Sequence, residues 1–426
     1  MAKQEKIYDI AIIGGGPAGI MAANRAAELG AKVIIIEKNK DFGMKFLLTG
    51  GGRCNITHAE FDNRKLAESY GIEGKFLLSP LSIFNAKDTV NFFETHGIKT
   101  IIERGQRVFP ESGKAAPLLA VLIKNLRKSG VDFMTGTHVV DFKQDGNNKI
   151  THILTRDKNN IYAKNFILCT GGKSYPKTGS IGEGYRWAQK LGHTITHPNP
   201  ALVPIKIREP WLKKVQGISL KNVELSILPG DRSKKIKNGD KRFGEAMFAH
   251  FGLSGPIAID LSKRIGERLS DGNAVRLALD LKPALTADQL DKRIQRDFKK
   301  FNNKLFRNSL ADLLPAKLEN TIVALSKINP NKKVHSVTKE ERQTLVKILK
   351  GLEMNVNGLM GFDMAIVTTG GVSLKEINSK TMKSKIIDNL YFAGEIIDLD
   401  GPCGGYNLQI CWTTGYVAGQ SATENL

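Results

Sequence analysis

Cysteine is scarce in this sequence. Its 426 residues contain four, Cys54, Cys169, Cys403 and Cys411. None forms a CxxC pair, and none has a metal-ligand spacing with the eight histidines. A disulfide framework is therefore not expected, and no metal site is predicted. The simplest interpretation of each thiol is a small buried side chain.

Long apolar runs are absent as well. No segment approaches the roughly 18 apolar residues that cross a bilayer, so no membrane partner is expected. The opening MAKQEKIYDIAII passes from a short charged lead into an apolar strand, without the features of a signal peptide. These observations predict a cytoplasmic protein, and no stable protein partner is inferred. The length predicts two or three domains.

Acidic residues are few relative to basic ones. The chain has 63 Lys and Arg against 42 Asp and Glu, a formal net charge of +21. Positions 201–360 alone hold 31 basic and 17 acidic residues, which is a net charge of +14. Such an asymmetry favours a polyanionic partner, although a host cell whose proteins are generally basic would also produce it.

The first 40 residues have the pattern of one βαβ unit. The apolar strand YDIAII runs into glycines, the helical segment PAGIMAANRAAELG follows, and AKVIIIEK is a second buried strand. Gly14, Gly16 and Gly19 have G-x-G-x-x-G spacing, and Glu37 follows 23 positions after Gly14. This context predicts a dinucleotide site, with the pyrophosphate at the helix N-terminus and the ribose hydroxyls on Glu37.

Four prolines within positions 196–210 mark a change of pattern. We predict a discontinuous α/β domain that carries the dinucleotide site, 1–197 and 358–426, interrupted by an insertion over 198–357. The insertion divides into a β-rich part at about 198–265 and a mainly helical, strongly basic part at about 266–357.

Later motifs favour FAD over NAD. The strand NLYFAGEIID ends in Gly394-Glu395 and resembles the second FAD motif of glutathione-reductase-like flavoproteins, where most families carry Asp. ILCTGG resembles their short T-G-G motif, and TGSIGEGYRWAQKLGH resembles the glycine-rich segment near the flavin of fumarate-reductase-like enzymes. A second G-x-G-x-x-G for NAD(P) is absent, so NAD(P)H is expected to bind only transiently.

Together, GMKFLLTGGGRCNIT, GGKSYPKTGSIGEGYRWA, TTGGVSLKEI and LYFAGEIIDLDGPCGGYNLQICWTTGYVAG resemble the BaiN/RdsA family of FAD-dependent oxidoreductases. The resemblance covers essentially the whole chain. It implies an α/β fold: a Rossmann-like FAD-binding domain, interrupted by an insertion with a small β-barrel and a helical subdomain. It also implies hydride exchange at flavin N5.

The predicted cofactor-binding residues come from seven separate segments. They are Gly14, Gly16, Pro17, Ala18, Gly19, Glu37, Lys38, Lys45, Gly51, Gly52, Arg53, Cys54, Val139, Thr170, Gly171, Gly394, Glu395, Gly404, Gly405, Tyr406 and Asn407.

The substrate is a separate question, because members of the resembling family differ. Some reduce a uridine of large-subunit ribosomal RNA, some act on unsaturated bile-acid intermediates and some oxidise aminoacetone. The basic insertion, which interleaves Lys and Arg with Trp211, Phe243, Phe298, Phe301 and Phe306, favours ribosomal RNA. Two alternatives stay open: a small-molecule flavoenzyme, and a ribosome-assembly factor with structural FAD.

Catalytic residues are less well defined by the sequence. Cys403 and Tyr406, in GPCGGYNLQ, are candidate proton donors, with Cys54, Tyr175 and His250 as further acids. The favoured interpretation of this loop is that Gly404 and Gly405 let the N-terminus of the next helix approach the flavin. Arg53, in GGGRCN, is a candidate ligand of a flavin phosphate or a uracil carbonyl, or the partner of a carboxylate.

The charge pattern makes a direct prediction. If the basic insertion contacts RNA phosphates, the affinity for a large-subunit ribosomal RNA transcript falls linearly with salt on a log–log plot, because each contact releases counterions. Filter binding at increasing salt measures this slope. A flat response would contradict the role given to the insertion.

Overall fold

A computed structural model of the chain describes residues 6–230 and 236–426. These residues form two compact units, one within Met1–Pro200 and Ile366–Leu426 and the other within Ala201–Ala365. The domain limits inferred from the sequence stay a prediction. None of the helices in the described part of the chain combines the length and apolar character of a membrane span.

The strands of the described residues are numbered in chain order. They are β1 Ile7–Ile13, β2 Val33–Ile36, β3 Thr57–His58, β4 Thr100–Glu103, β5 Arg107–Pro110, β6 Asp132–Met134, β7 Val139–Gln144, β8 Ile150–Thr155, β9 Asn160–Leu168, β10 Ile195–Ala201, β11 Ile205–Ile207, β12 Ser219–Ile227, β13 Lys241–Ala249, β14 Gly252–Ser254, β15 Arg276–Asp280, β16 Leu352–Leu359, β17 Val367–Val372 and β18 Leu390–Phe392.

The α-helices are numbered in the same way. They are α1 Pro17–Glu28, α2 Asn63–Glu68, α3 Leu78–Ile83, α4 Ala86–Thr95, α5 Ala115–Lys128, α6 Glu183–Lys190, α7 Pro256–Ser270, α8 Ala287–Lys300, α9 Ala316–Ser326, α10 Lys339–Lys350 and α11 Tyr406–Glu424.

The main sheet of the first unit has the order β6-β2-β1-β9-β8-β7, with β18 also paired to β9. β1 pairs in parallel with β2 and β9, and β18 pairs in parallel with β9. All four residues of β2 are buried, as expected for a parallel strand covered on both faces. β7, β8 and β9 form an antiparallel meander. β6 pairs in parallel with β2 at the other edge of the sheet.

Two helices of the first unit, α1 and α11, pack closely because α11 carries glycines at the contact. A Cβ added to Gly415 would lie 2.4 Å from the Ala18 carbonyl oxygen, and one added to Gly419 would lie 2.3 Å from that of Ala22. Both distances are shorter than any real Cβ contact. α11 therefore lies against the backbone of the helix that follows the glycine-rich turn.

The second unit contains a closed barrel of order β11-β14-β13-β12-β15-β16. Leu225, Leu277 and Met354 from three of these strands are fully buried in its core. β15 and β16 lie in the segment predicted to be mainly helical, and they flank α8, α9 and α10. The barrel is thus closed by two strands that are separated in the sequence by three helices. Local sequence patterns do not reveal this pairing.

The aromatic residues of the insertion divide into two groups. Phe298 and Phe306 are buried in the core of the second unit, so these two rings are not available for stacking on RNA bases. Phe243 is exposed, and Trp211 and Phe301 are half-buried. Of these five residues, only Phe243, Trp211 and Phe301 are therefore accessible for base stacking.

The contact between α1 and α11 generates a stability prediction. Gly419→Ala should lower the free energy of unfolding by about 1–3 kcal/mol, because overpacking against a helix backbone outweighs the helical preference of alanine. Thermal or urea unfolding of the FAD-loaded protein measures this. Gly146→Ala is the control, since a Cβ there meets nothing within 4 Å, and a change beyond about 0.5 kcal/mol is not expected for it. Equal stability of the two variants would contradict the packing interpretation.

Candidate functional site

An open cavity with about 1350 Å³ of empty space lies in the first unit. Its wall includes Ile13 at the end of β1, Ile36 at the end of β2, Cys169 just after β9 and Ala393 just after β18. The carboxyl ends of four parallel strands therefore meet at this cavity. That edge is where open α/β sheets bind their ligands.

The glycine-rich turn forms one side of the cavity. Gly14 has a φ of +109°, and a Cβ there would lie 2.4 Å from the Cys169 carbonyl oxygen. Gly16 has empty space around its Cα, since an added Cβ would meet nothing within 4 Å. Gly16 is also the N-cap of α1 and provides no side-chain cap, so the first N–H groups of α1 are available to an anion.

The carboxylate of Glu37 is anchored beside this turn. It accepts hydrogen bonds from the backbone N–H groups of Gly15 and Asn39, each at 2.8 Å. Glu37 is only 8% exposed, and it lines the cavity. A carboxylate has about four acceptor positions, so two remain for hydroxyl groups of a ligand.

A polar cluster around Glu395 forms another part of the wall. Its carboxylate lies 2.7 Å from the Lys45 ammonium and accepts hydrogen bonds from the Ser174 hydroxyl and the Thr368 N–H, both at 2.7 Å. Lys45 also donates to the Ser174 hydroxyl at 2.6 Å. The cluster joins four segments that are distant in the sequence, and it places one cation at the cavity.

The cavity also contains a buried hydroxyl group that lacks a partner. The Thr170 Oγ1 atom makes no hydrogen bond although it is buried, and Thr170 lines the cavity. Such a group costs about 1–3 kcal/mol unless a ligand satisfies it. Together with the open face of Gly16 and the free acceptors of Glu37, it fits a phosphate- and hydroxyl-rich ligand such as FAD.

Comparison with known proteins identifies the family. The family model of the HI0933-like protein Rossmann domain matches residues 8–421. The chain belongs to the HI0933-like family.

Two curated relatives cover almost the whole chain. A 3-dehydro-bile acid delta(4,6)-reductase from Clostridium scindens is 33% identical over 418 residues, which is 97% of this chain and 99% of the relative. A ribosomal RNA dihydrouridine synthase from Escherichia coli is 28% identical and covers 97% of each chain.

Solved structures agree with this fold. The open conformation of a flavocytochrome c3 fumarate reductase matches with a TM-score of 0.53 at 17% identity, covering 99% of this chain and 79% of that chain. A 3-ketosteroid-delta4-(5alpha)-dehydrogenase from Rhodococcus jostii matches with a TM-score of 0.52 at 15% identity, covering 99% and 98%. The predicted Rossmann-like fold with an inserted barrel is confirmed, as is the class of FAD-dependent oxidoreductase.

In this member of the HI0933-like family, most of the predicted cofactor residues line the cavity. Those that do are Gly14, Gly16, Pro17, Ala18, Glu37, Lys38, Lys45, Val139, Thr170, Gly171, Gly394, Glu395 and Asn407. The predicted cofactor residues that are not in its wall are Gly19, Gly51, Gly52, Arg53, Cys54, Gly404, Gly405 and Tyr406. The candidate acids Cys403, Tyr175 and His250 are not in its wall either.

Gly19 does not line the cavity but packs closely against the glycine-rich turn. A Cβ at Gly19 would lie 2.0 Å from the Gly14 carbonyl oxygen. Its lack of a side chain therefore allows α1 to follow directly on the turn, in agreement with the packing role expected from its place in the motif.

Arg53 lies in an ion pair with Glu103, and its guanidinium is 4.2 Å from the centroid of the Phe109 ring. Of the three roles left open by the sequence, the structure contains the pairing with a neighbouring carboxylate. The guanidinium lowers the pKa of the Glu103 carboxyl.

The next residue, Cys54, is fully buried, and burial raises the pKa of its thiol to about 12. Cys54 is therefore a neutral interior side chain, as expected for a buried thiol.

The loop GPCGGYNLQ packs against β3. The Tyr406 ring stacks on His58 with centroids 4.4 Å apart, and the Tyr70 hydroxyl donates to the Tyr406 carbonyl at 3.0 Å. Gly405 has a φ of +100°, and a Cβ there would lie 2.3 Å from the Thr57 carbonyl carbon. The lack of a side chain at Gly405 therefore allows close packing against Thr57, which is a different role from the expected approach to a flavin.

Asn407 connects this loop to the cavity. Its side-chain amide accepts from the Gly401 N–H at 2.9 Å and donates to the Gly401 carbonyl at 2.8 Å. Asn407 also lines the cavity at the start of α11. Cys403 lies within the turn that this amide closes, and it is half-buried.

Several cavity residues were not identified from the sequence. Asn39, Met44, Thr137, Ser180, Ile181, Ile366 and Cys411 are among them. Ser180 and Ile181 lie inside the glycine-rich TGSIGEG segment, which gave a signal for the region but not for single residues. Ser174 and Thr368, which hold Glu395, likewise lie in the quoted motifs GGKSYP and TTGG.

The position of Glu37 generates a prediction about cofactor affinity. Glu37→Gln should weaken FAD binding by about 10- to 100-fold, because hydrogen bonds to a charged acceptor contribute about 1.5–3 kcal/mol. The measurement is the FAD content after dialysis, with titration of the released apoprotein. Glu68→Gln is the control, since Glu68 is exposed at the end of α2. Unchanged FAD affinity in Glu37→Gln would contradict the assignment.

Proposed function

We propose that this protein reduces a uridine of large-subunit ribosomal RNA to dihydrouridine, with NAD(P)H as a transient electron donor. The broader part of this proposal is the reduction of a carbon–carbon double bond conjugated to a carbonyl group. The names of the two relatives support that broader part. A dihydrouridine synthase saturates the uracil double bond, and a 3-dehydro-bile acid delta(4,6)-reductase saturates an unsaturated ketone.

The observation that carries the choice of RNA is the charge of the inserted unit. Positions 201–360 carry a net charge of +14. A steroid substrate requires an apolar pocket with a few polar groups, and such a pocket does not require this charge. Phosphate contacts supply most of the sequence-independent affinity for RNA. On α8, Lys292, Arg296 and Lys299 are all exposed, so part of this charge faces solvent.

The protein's own residues would hold and orient the cofactor. The N–H groups at the start of α1 bind the pyrophosphate, and Glu37 binds ribose hydroxyls. Lys45 brings a positive charge that is already balanced by Glu395. When bound and reduced by NAD(P)H, the flavin would supply a hydride for C6 of the uracil ring, while C5 would take a proton. The overall reaction is uridine plus NAD(P)H plus H⁺ giving dihydrouridine plus NAD(P)⁺.

We assign the proton source to the segment GPCGGYNLQ. Cys403, in the loop before α11, and Tyr406, the first residue of α11, are the candidate donors, because they are close in the chain to Asn407, which lines the cavity. Arg53 is not a plausible donor since a guanidinium does not release its proton, and its ion pair with Glu103 favours a structural role. The cytoplasm, where ribosomes are assembled, is the compartment that this function requires.

A second candidate function is the reduction of a steroid-like unsaturated ketone. The rim of the cavity favours it, because Met44, Ile181 and Ile366 are 40%, 51% and 38% exposed there. An apolar rim suits a hydrophobic substrate. The 33% identity to the bile acid reductase points in the same direction.

The experiment that separates the two functions is a gene deletion with a dihydrouridine map of the large ribosomal RNA. We expect one dihydrouridine to disappear in the deletion strain and to return with the wild-type gene. Complementation with Cys403→Ala and Tyr406→Phe tests the proton donors, since loss of a general acid costs about 10²- to 10⁴-fold in rate.

The matching control is NAD(P)H oxidation by the purified FAD-loaded protein with a 3-oxo-delta(4,6) steroid. An unchanged dihydrouridine map together with rapid steroid-dependent oxidation would replace the RNA proposal by the second candidate.

A further inference from the structure

A second cavity, with about 620 Å³ of empty space, lies within the barrel-containing unit. It is formed between the short helical segment Pro210–Val215 and α9, which contact each other. Its lining residues are Trp211, Lys214, Lys317, Asn320, Thr321, Ala324 and Leu325. None of them was assigned a role by the motifs of the FAD site.

The α9 residues in this cavity share one helical face. Lys317, Asn320, Thr321, Ala324 and Leu325 stand at positions i, i+3, i+4, i+7 and i+8, which is the spacing of a single stripe along a helix. Such a stripe usually packs on the core. Here Lys317, Asn320 and Ala324 are exposed, so this face of α9 is left partly uncovered.

The aromatic wall of the cavity is held in place by the barrel. The Trp211 ring meets Phe248 edge to face, with centroids 5.9 Å apart and an interplanar angle of 76°. Phe248 is fully buried, whereas Trp211 is half-buried. One part of the indole is therefore anchored, and the rest is available at the cavity.

The two lysines of the cavity are available for an anion. Lys214 and Lys317 are exposed, and within residues 6–230 and 236–426 neither forms an ion pair or a side-chain hydrogen bond. They come from different elements but line one cavity. Two like charges at one site repel each other, and an anionic ligand would offset that repulsion.

A buried polar group adds an independent observation. Thr321 is only 4% exposed, and its Oγ1 atom has no hydrogen-bond partner among the residues that the structure describes. Few buried polar groups in folded proteins lack a partner, and each one calls for an explanation such as a ligand or an ion. Thr321 is in the wall of this cavity, next to the amide of Asn320.

We propose that this cavity binds one nucleotide of the RNA substrate. Its phosphate lies between Lys214 and Lys317, and its base stacks on Trp211. Asn320 and Thr321 hydrogen-bond to the base edge or the ribose. An aromatic face, two cations and an amide are the groups by which proteins bind unstacked nucleotides. The inference rests on the proposed reduction of ribosomal RNA and adds a second point of attachment for that substrate.

The test uses the full-length, FAD-loaded protein and a transcript of large-subunit ribosomal RNA. Filter binding at several salt concentrations gives the affinity and its salt slope. Lys214→Gln/Lys317→Gln should weaken binding and reduce the slope by about 1, as for the loss of one phosphate contact. The control is Lys292→Gln/Lys347→Gln, which removes the same charge from exposed helical positions outside the cavity. This pair should weaken binding less than the cavity pair.

A second variant keeps the test independent of charge. Trp211→Leu should lower the RNA affinity by about 5- to 150-fold with an unchanged salt slope, because base stacking on an aromatic ring contributes about 1–3 kcal/mol. Phe61→Leu is the control, since Phe61 is an exposed aromatic residue of the other unit. FAD content and the rate of flavin reduction by NADPH should stay at the wild-type values in all four variants.

The outcomes separate this inference from the proposed function. If the wild-type gene restores dihydrouridine but the cavity variants bind RNA like their controls, the nucleotide site is overturned and the RNA function stands. If the wild-type protein neither binds RNA nor restores dihydrouridine, both are overturned together. A higher KM for NADPH with unchanged RNA affinity would assign the cavity to a free dinucleotide and also overturn the inference.

Discussion

Backbone-to-backbone contact at glycine is the constraint on which the FAD cavity depends. Gly14 lies against the carbonyl of Cys169, and Gly19 lies against the carbonyl of Gly14. Gly415 lies in the same way against Ala18, which brings α11 onto α1. A methyl group at any of these positions would separate the elements that meet at the carboxyl edge of the sheet. Gly16, in the same turn, has open space and lines the cavity.

The charged groups of the cavity are stabilised by partners from distant parts of the chain. Glu395 is bound by Lys45, Ser174 and the Thr368 backbone, so a half-buried carboxylate does not remain uncompensated. Glu37 is held by two backbone N–H groups in a comparable way. These bonds orient the polar groups before a ligand arrives, which reduces the ordering cost of binding.

The fold that this chain shares with its relatives does not determine which substrate each of them takes. The relatives named a bile acid reductase and a ribosomal RNA dihydrouridine synthase both match along almost the whole chain, so the shared fold does not separate their substrates. The charge of the inserted unit and the second cavity, with its Trp211 and exposed Lys214 and Lys317, are the features that favour a polyanion here.

The sequence alone predicted the parts of the site that are determined by local contacts. The turn at Gly14, the helix after it and the acid at position 37 lie within one βαβ unit, and their spacing predicted the dinucleotide site. Only the tertiary structure decided the contacts between distant segments. It paired Arg53 with Glu103, packed Gly405 against Thr57 and closed the barrel with strands on either side of a helical segment. Such contacts depend on how the packed elements meet in space, and the spacing of residues along the chain does not indicate this.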